Sequence, residues 1–78
     1  MVIIGEKVWV RSRFDELLGR RLWLARGLAR MTQAEAGDAL GVTRETVAKW
    51  EMGVRRPGLP MIRKLTKTYG ITPDYLLG

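Results

Sequence analysis

The chain has 78 residues, enough for one domain, and its 46% hydrophobic and 28% charged residues are typical of a folded globular protein. It contains no cysteine, which excludes disulfides and thiolate metal sites, and no histidine, which is the commonest general base. We therefore expect no enzyme activity, metal, cofactor or small-molecule substrate. Fourteen basic against eight acidic residues give a net charge of +6, which favours a polyanionic partner, nucleic acid before an anionic membrane surface.

Residues 1–12 are predicted to form a short extended arm in front of a folded domain at residues 13–78. Val8–Val10 has strand propensity, and Gly5 interrupts the apolar run that begins the chain. No apolar stretch approaches the ~20 residues needed to cross a bilayer, and no secretory signal is recognisable. We therefore expect a cytoplasmic protein without a membrane segment.

An apolar stripe of helical period predicts a first helix over about residues 13–29. Its members recur three or four residues apart: Phe14, Leu18, Leu22, Ala25 and Ala29. A second helix is predicted to begin after Thr32, which can form a capping box with Glu35. It ends at Leu40, because the following Gly41 suits the left-handed conformation of a sharp helix end.

A very short turn separates the second helix from a third. Gly41 and Val42 stand between the second helix and Thr43, the predicted N-cap of the third. Val47 and Trp50 form the apolar side of this third helix. A turn this short sets two helices at a steep angle, which is the helix-turn-helix geometry, and the second helix of such a pair fits the major groove of B-DNA.

Two further helices complete the predicted fold. A basic loop covers residues 54–58, since Pro57 and Gly58 both break regular structure, and a fourth helix then runs to Gly70. Its apolar face consists of Leu59, Ile62, Leu65 and Tyr69. Thr72 begins a final turn with a proline at the first helical position. The sequence therefore predicts an all-α domain of five helices.

Several motifs occur in register along residues 14–78. They are Leu18-Gly19-x-Arg21-Leu22-x-x-Ala25-Arg26, Met31-Thr32-Gln33-x-Glu35-Ala36, Leu40-Gly41-Val42-Thr43-x-x-Thr46-Val47-x-x-Trp50-Glu51-x-Gly53, Arg56-Pro57 and Ile71-Thr72-Pro73-Asp74-Tyr75-Leu76-Leu77-Gly78. In this order the motifs resemble the Cro/cI-type helix-turn-helix family, also called lambda-repressor-like or XRE. The resemblance implies a five-helix transcriptional regulator, a repressor, that binds double-stranded DNA at a near-palindromic operator as a homodimer and inserts helix 43–52 into the major groove.

The resemblance also implies roles for individual residues. The family's base-reading positions correspond to Arg44, Glu45, Thr46 and Lys49. Its positions on the DNA backbone correspond to Gln33, Thr43, Arg55 and Arg56. A structural ion pair between the first and third helices corresponds to Arg26 and Glu51.

The chain departs from the family pattern at several positions. Arg30 stands where the family often has glycine, so the first helix is expected to be capped differently. Ala36 and Gly37 replace a larger pair, so the second helix is expected to contribute little core volume there, and Gly37 costs about 1 kcal/mol in a helix interior. Three apolar residues occupy positions that are commonly exposed: Trp23, Leu24 and Leu28. We expect the arm, of the same chain or of a partner, to cover them.

Some alternatives remain open. Glu45 either accepts a hydrogen bond from cytosine or only orients Lys49, four residues on. Three basic residues of the fourth helix are expected to be plain solubilising charge: Arg63, Lys64 and Lys67. The same fold is also used in protein-interaction modules, such as antitoxins or phage proteins that dock on host machinery. An RNA-binding role is disfavoured, because surface aromatic residues are not interleaved with the basic ones.

Overall fold

The structure of the protein is a computed structural model that describes residues 13–78. Five helices occupy this range, and it contains no strand: α1 (Arg13–Leu28), α2 (Gln33–Leu40), α3 (Arg44–Met52), α4 (Leu59–Tyr69) and α5 (Pro73–Leu77). The predicted all-α fold with five helices is confirmed. The arm predicted at residues 1–12 lies outside the described residues. None of the five helices is long and apolar enough to cross a bilayer.

Threonine side chains cap the starts of three helices. The hydroxyl of Thr32 accepts a hydrogen bond from the Glu35 amide at 3.0 Å, and the Glu35 carboxylate accepts one from the Thr32 amide at 2.9 Å. Thr43 and Thr72 each accept from the amide three residues on, both at 3.1 Å. These bonds satisfy amides that a helix start leaves without an intrahelical partner, so the local sequence determines where α2, α3 and α5 begin.

Helices α1 and α3 are in backbone contact at Gly19. A Cβ atom at this position would lie 2.5 Å from the carbonyl oxygen of Glu51 and 2.8 Å from that of Trp50. Any other residue would push the two helices apart, since carbonyl oxygens of a helix cannot turn away as a side chain can. Gly19 therefore sets the distance at which α3 lies on α1.

Gly37 plays the same part within the helix-turn-helix unit. A Cβ atom there would lie 2.7 Å from the carbonyl oxygen of Val42, in the turn between α2 and α3. The neighbouring Ala36 is fully buried. The sequence predicts that this pair contributes little core volume, and the close approach gives the reason for the small residue at Gly37, since it allows the turn to fold back onto α2.

All five helices contribute apolar side chains to the core. It consists of Leu18, Leu22, Ala25, Ala36, Leu40, Val47, Trp50, Ile62, Leu65, Tyr69 and Leu76. Two residues predicted for the apolar faces of α1 and α4, Phe14 and Leu59, are exposed instead. Both lie in the first turn of their helices, where the apolar face extends beyond the neighbouring helices. The Arg56 guanidinium covers one side of the Phe14 ring, 4.9 Å from the ring centre.

The end of α1 has the geometry of a glycine cap, with arginine in the glycine position. Arg30 has a φ of 60°, the only positive value at a non-glycine residue among residues 13–78. Its amide donates to the carbonyl of Gly27 at 3.0 Å, and the Met31 amide donates to that of Arg26 at 3.2 Å. The expectation of a different cap is thus wrong. The left-handed conformation costs an L-residue about 1–2 kcal/mol.

Candidate nucleic-acid interface

Helix α3 has one buried side and one exposed polar side. Val47 and Trp50 are buried in the core, whereas Arg44, Glu45 and Lys49 are exposed. The predicted base-reading residues therefore lie together on the outer surface, near the start of the helix. This is the arrangement in which side chains can reach base edges in a groove while the helix stays attached to its domain.

The first turn of α3 is held by its own cap. The hydroxyls of Thr43 and Thr46 lie 3.0 Å apart, and the Thr43 hydroxyl also accepts from the Thr46 amide. Thr46 is half-buried. Its hydroxyl is thus occupied within the chain, which makes it the least available of the four predicted base-reading side chains.

A chain of hydrogen bonds connects Arg44 to a carboxylate at the other end of its helix. Nη1 of Arg44 donates to Oε1 of Gln33 at 3.4 Å, and Nε2 of Gln33 donates to Oε1 of Glu51 at 3.0 Å. Gln33 is the first residue of α2, so it bridges the two helices of the motif. Sequence reasoning placed these residues separately, because no local pattern links positions 11 and 18 residues apart.

Arg26 and Glu51 form a bidentate ion pair between α1 and α3. Nε and Nη2 of Arg26 donate to the two carboxylate oxygens at 2.6 and 3.0 Å, and the side chains are only 14% and 5% exposed. The remaining nitrogen, Nη1, donates to the carbonyl of Met31 at 2.8 Å. The hydrogen bonds to Glu51 raise the pKa of the Arg26 guanidinium, so Arg26 keeps its positive charge beside the carboxylate.

Tyr69 of α4 is packed close to this pair. Burial raises the pKa of the Tyr69 phenol to about 12, the negative charge of Glu51 adds to the rise, and Arg26 opposes it. The phenol therefore remains neutral beside the ion pair, which avoids a second negative charge next to Glu51.

Glu45 is paired with its neighbour and not with Lys49. Its Oε2 lies 3.7 Å from Nη2 of Arg44, and both side chains are largely exposed. The alternative in which Glu45 only orients Lys49 therefore has no contact to support it. An exposed pair at this distance is worth little, so both groups are available to a ligand.

The two arginines of the loop between α3 and α4 have different surroundings. Arg56 donates to Oδ1 of Asp15 from Nε at 2.8 Å, its Nη2 lies 2.7 Å from the same oxygen, and it covers Phe14. It thereby fastens the loop to α1. Arg55 is exposed, and no side-chain hydrogen bond or ion pair holds it to the part of the chain that the structure describes.

One of the three basic residues expected to be plain surface charge has a structural contact. Nζ of Lys64 donates to the carbonyl of Leu40 at 3.2 Å. Leu40 is the last residue of α2, where a carbonyl has no intrahelical partner and a positive charge is favourable. The expectation is therefore wrong for Lys64, which caps the C-terminus of α2 from α4.

The fold and this geometry agree with the comparisons to known proteins. A family model described as helix-turn-helix matches residues 24–76. The HTH-type transcriptional regulator ImmR of Bacillus subtilis (strain 168) is 38% identical over 61 residues, which are 78% of this chain and 48% of ImmR. The chain spans about half the length of the curated relatives it matches.

Solved structures give the same picture. The P22 c2 repressor in complex with synthetic operator 9T has a TM-score of 0.74 and 31% identity, over 78% of this chain and 92% of that one. The restriction-modification controller protein C.AhdI from Aeromonas hydrophila has a TM-score of 0.73 and 28% identity, over 83% and 97% of the two chains. With the family model covering residues 24–76, the chain belongs to the helix-turn-helix family of the Cro/cI type.

Proposed function

We propose that the chain is a sequence-specific regulator of transcription, a repressor, that inserts residues 43–52 into the major groove of double-stranded DNA. The observation that carries the proposal is the exposed polar side of α3, where Arg44, Glu45 and Lys49 stand opposite a buried apolar side. Such a protein acts where the DNA is, in the cytoplasm. The net charge of +6 supports binding to a polyanion.

Base reading is assigned to the outer side of α3. Arg44 and Lys49 can donate to O6 and N7 of guanine, and Glu45 can accept from N4 of cytosine. Thr46 stands beside them and contributes less, since its hydroxyl is occupied by Thr43. A good bidentate contact of this kind is worth about 1–3 kcal/mol of discrimination against the wrong base.

Contacts with the DNA backbone are assigned to residues around α3. Gln33 and Thr43 lie at the starts of α2 and α3, where helix termini favour phosphate. Arg55 is exposed and Arg56 keeps more than half of its side chain exposed while paired with Asp15, so both can face phosphate from the loop. These contacts position the protein without carrying sequence information.

We further propose that the chain binds a near-palindromic operator as a homodimer. One short helix reads few base pairs, and paired half-sites about one helical turn apart, ~34 Å, supply the missing discrimination. An apolar groove of about 300 Å³ supports an interface, with Phe14, Pro57, Leu59 and Leu77 among its lining residues. Three of these side chains are large, apolar and exposed: Phe14, Leu59 and Leu77.

The proposal is tested by selecting bound duplexes from a random library and titrating the enriched site and a scrambled duplex at several salt concentrations. Arg44→Ala and Lys49→Ala are expected to lower affinity for the selected site far more than for the scrambled one. Arg55→Ala is expected to weaken both alike and to flatten the salt dependence by roughly one phosphate contact. Arg63→Ala on α4 removes the same charge from an exposed position outside the interface and serves as the control.

Two outcomes would contradict the proposal. If no sequence is enriched and all variants bind weakly and uniformly, a protein-interaction module of the same fold is the better description. If Arg44→Ala, Lys49→Ala and Arg63→Ala keep equal specificity ratios, the reading surface is not on α3. Sedimentation on the selected duplex tests the homodimer, and one chain per site would exclude it.

A further inference from the structure

One flank of α1 carries a bare apolar stripe. Leu17, Leu24 and Leu28 are exposed, the last two to 45% and 79%. At 100° per residue these positions fall within about 40° of one another around the helix. They lie roughly opposite Gly19, the residue through which α1 contacts α3. The stripe is therefore on the side of the domain that faces away from the proposed DNA-reading helix.

The stripe is bare because its neighbour on that flank is too short. Arg21, which lies within the stripe, donates from Nη1 to the carbonyl of Leu76 in α5 at 3.4 Å. Helix α5 has five residues and α1 has sixteen, lengths of ~8 and ~24 Å. Among residues 13–78 no helix covers Leu24 and Leu28, which lie one and two turns beyond Arg21 toward the C-terminus of α1.

We propose that this stripe is a docking surface for residues 2–10 of the same chain. That segment contains six large apolar residues: Val2, Ile3, Ile4, Val8, Trp9 and Val10. It is connected to Arg13, the first residue of α1. Twelve residues reach up to ~40 Å, so the segment is long enough to return along the whole of α1 as far as Leu28.

The covalent link between residues 2–10 and α1 favours docking of the chain's own segment over the segment of a second copy. A short tether gives an effective concentration on the order of millimolar, well above the micromolar concentrations at which such a protein is studied. Burial of the leucines against the segment removes apolar surface from water on both sides. This burial stabilises the fold. Docking leaves Arg44 and Lys49 exposed, so it is independent of the proposed DNA binding.

The chain contains no cysteine, so pairs of introduced thiols report proximity without interference. The full-length double variant Val8→Cys, Leu24→Cys is treated with a short bismaleimide linker. A linked product with the mass of one chain is expected, formed at a rate that does not change on dilution. The matched control, Val8→Cys with Lys67→Cys, keeps the tether but places the second thiol on exposed α4, and it is expected to link several-fold more slowly.

A product with the mass of two chains would assign the stripe to a second copy and overturn the proposal. Equal linking rates for the Leu24 and Lys67 positions would overturn it as well.

Thermal unfolding of full-length Ile4→Gln, Leu28→Gln and their combination gives an independent readout, because Ile4 is far enough from Arg13 along the chain to reach Leu28. If the two side chains share one contact, each substitution lowers the melting temperature and the double variant loses less than the sum. Strict additivity, or unchanged melting for Leu28→Gln, would show that the stripe docks nothing.

Discussion

The carboxylate of Glu51 is held by the guanidinium of Arg26 through two hydrogen bonds, of 2.6 and 3.0 Å. Arg26 lies in the last turn of α1, and Glu51 lies next to the end of α3. Since Gln33 of α2 donates to the same carboxylate, three helices meet at one buried acidic group. The helix proposed to read DNA is thereby fixed at its far end, while its start is open to a ligand.

Removing this carboxylate is expected to destabilise the fold strongly. Glu51→Ala leaves the Arg26 charge little exposed and without its partner, and breaking a buried pair in this way costs about 3–5 kcal/mol. Glu45→Ala removes a carboxylate from the exposed pair with Arg44 and is expected to cost less than about 1 kcal/mol. Chemical denaturation of both variants measures the difference. Equal unfolding free energies would mean that the Arg26–Glu51 pair contributes no more than a surface contact.

Gln33 is expected to act on base discrimination through Arg44. The amide oxygen of Gln33 is the acceptor for the Arg44 guanidinium, so Gln33→Ala frees that side chain to adopt other rotamers. We expect the ratio of affinities for the selected and scrambled duplexes to fall, and the effect to be non-additive with Arg44→Ala. If Gln33→Ala weakens both duplexes equally, Gln33 contributes only a backbone contact.

Two glycines of α1 are expected to respond to alanine in opposite directions. At Gly27 an added Cβ meets nothing within 4 Å, so Gly27→Ala is expected to stabilise the helix by about 1 kcal/mol. At Gly19 the same methyl group would collide with the backbone of α3, and overpacking of this kind costs about 1–3 kcal/mol. Melting temperatures of the two variants give the comparison. A stable Gly19→Ala variant would show that α1 and α3 can separate without loss.

Alkaline pH is expected to destabilise the chain through Tyr69. Its pKa is about 12 in the folded state against an ordinary value of 10.0, so the folded chain retains a proton that the unfolded chain loses. The resulting stability is fully present below pH 10 and is lost as pH rises from there through about 12, in total ~3 kcal/mol. Unfolding free energies of the wild type and Tyr69→Phe across this range test the effect. Parallel pH profiles would contradict it.

The left-handed arginine at the end of α1 is expected to be a position where glycine stabilises. Arg30→Gly relieves a conformation that disfavours a Cβ, and we expect a gain of about 1 kcal/mol. The reverse change, Gly41→Ala at a φ of 76°, is expected to lose a similar amount. Denaturation midpoints of the two variants provide the measurement, and a loss of stability for Arg30→Gly would indicate that its side chain has a stabilising contact.

Features that depend on neighbouring residues were predictable from the sequence. The capping box of Thr32 and Glu35 and the glycine stop at Gly41 involve residues three or four positions apart, so their physics is local. The result is five helices whose bounds agree with the structure to within about one residue. Contacts that depend on how helices cross were not predictable in this way.

The close approach at Gly19 illustrates the difference, since a glycine inside a helix gives no sign of what lies opposite. Arg56 and Asp15 are 41 residues apart in the sequence, and their pairing depends on the path of the loop. Arg30 shows a second limit. Hydrogen bonds from Arg30 and Met31 back to α1 impose a left-handed conformation that the residue type opposes. The departure from the family's glycine therefore predicted another kind of helix end.

The glycine contact between α1 and α3 also has a consequence for how binding preference can change. No side chain stands between the two backbones at Gly19, so the tilt of α3 cannot be adjusted gradually by exchanging one apolar residue for another. Under the proposed function, new preferences arise by replacing the outward-facing groups at positions 44, 45 and 49 on an unchanged support. The domain is therefore a suitable recipient for transplanted recognition surfaces, because each graft would be presented at the same angle.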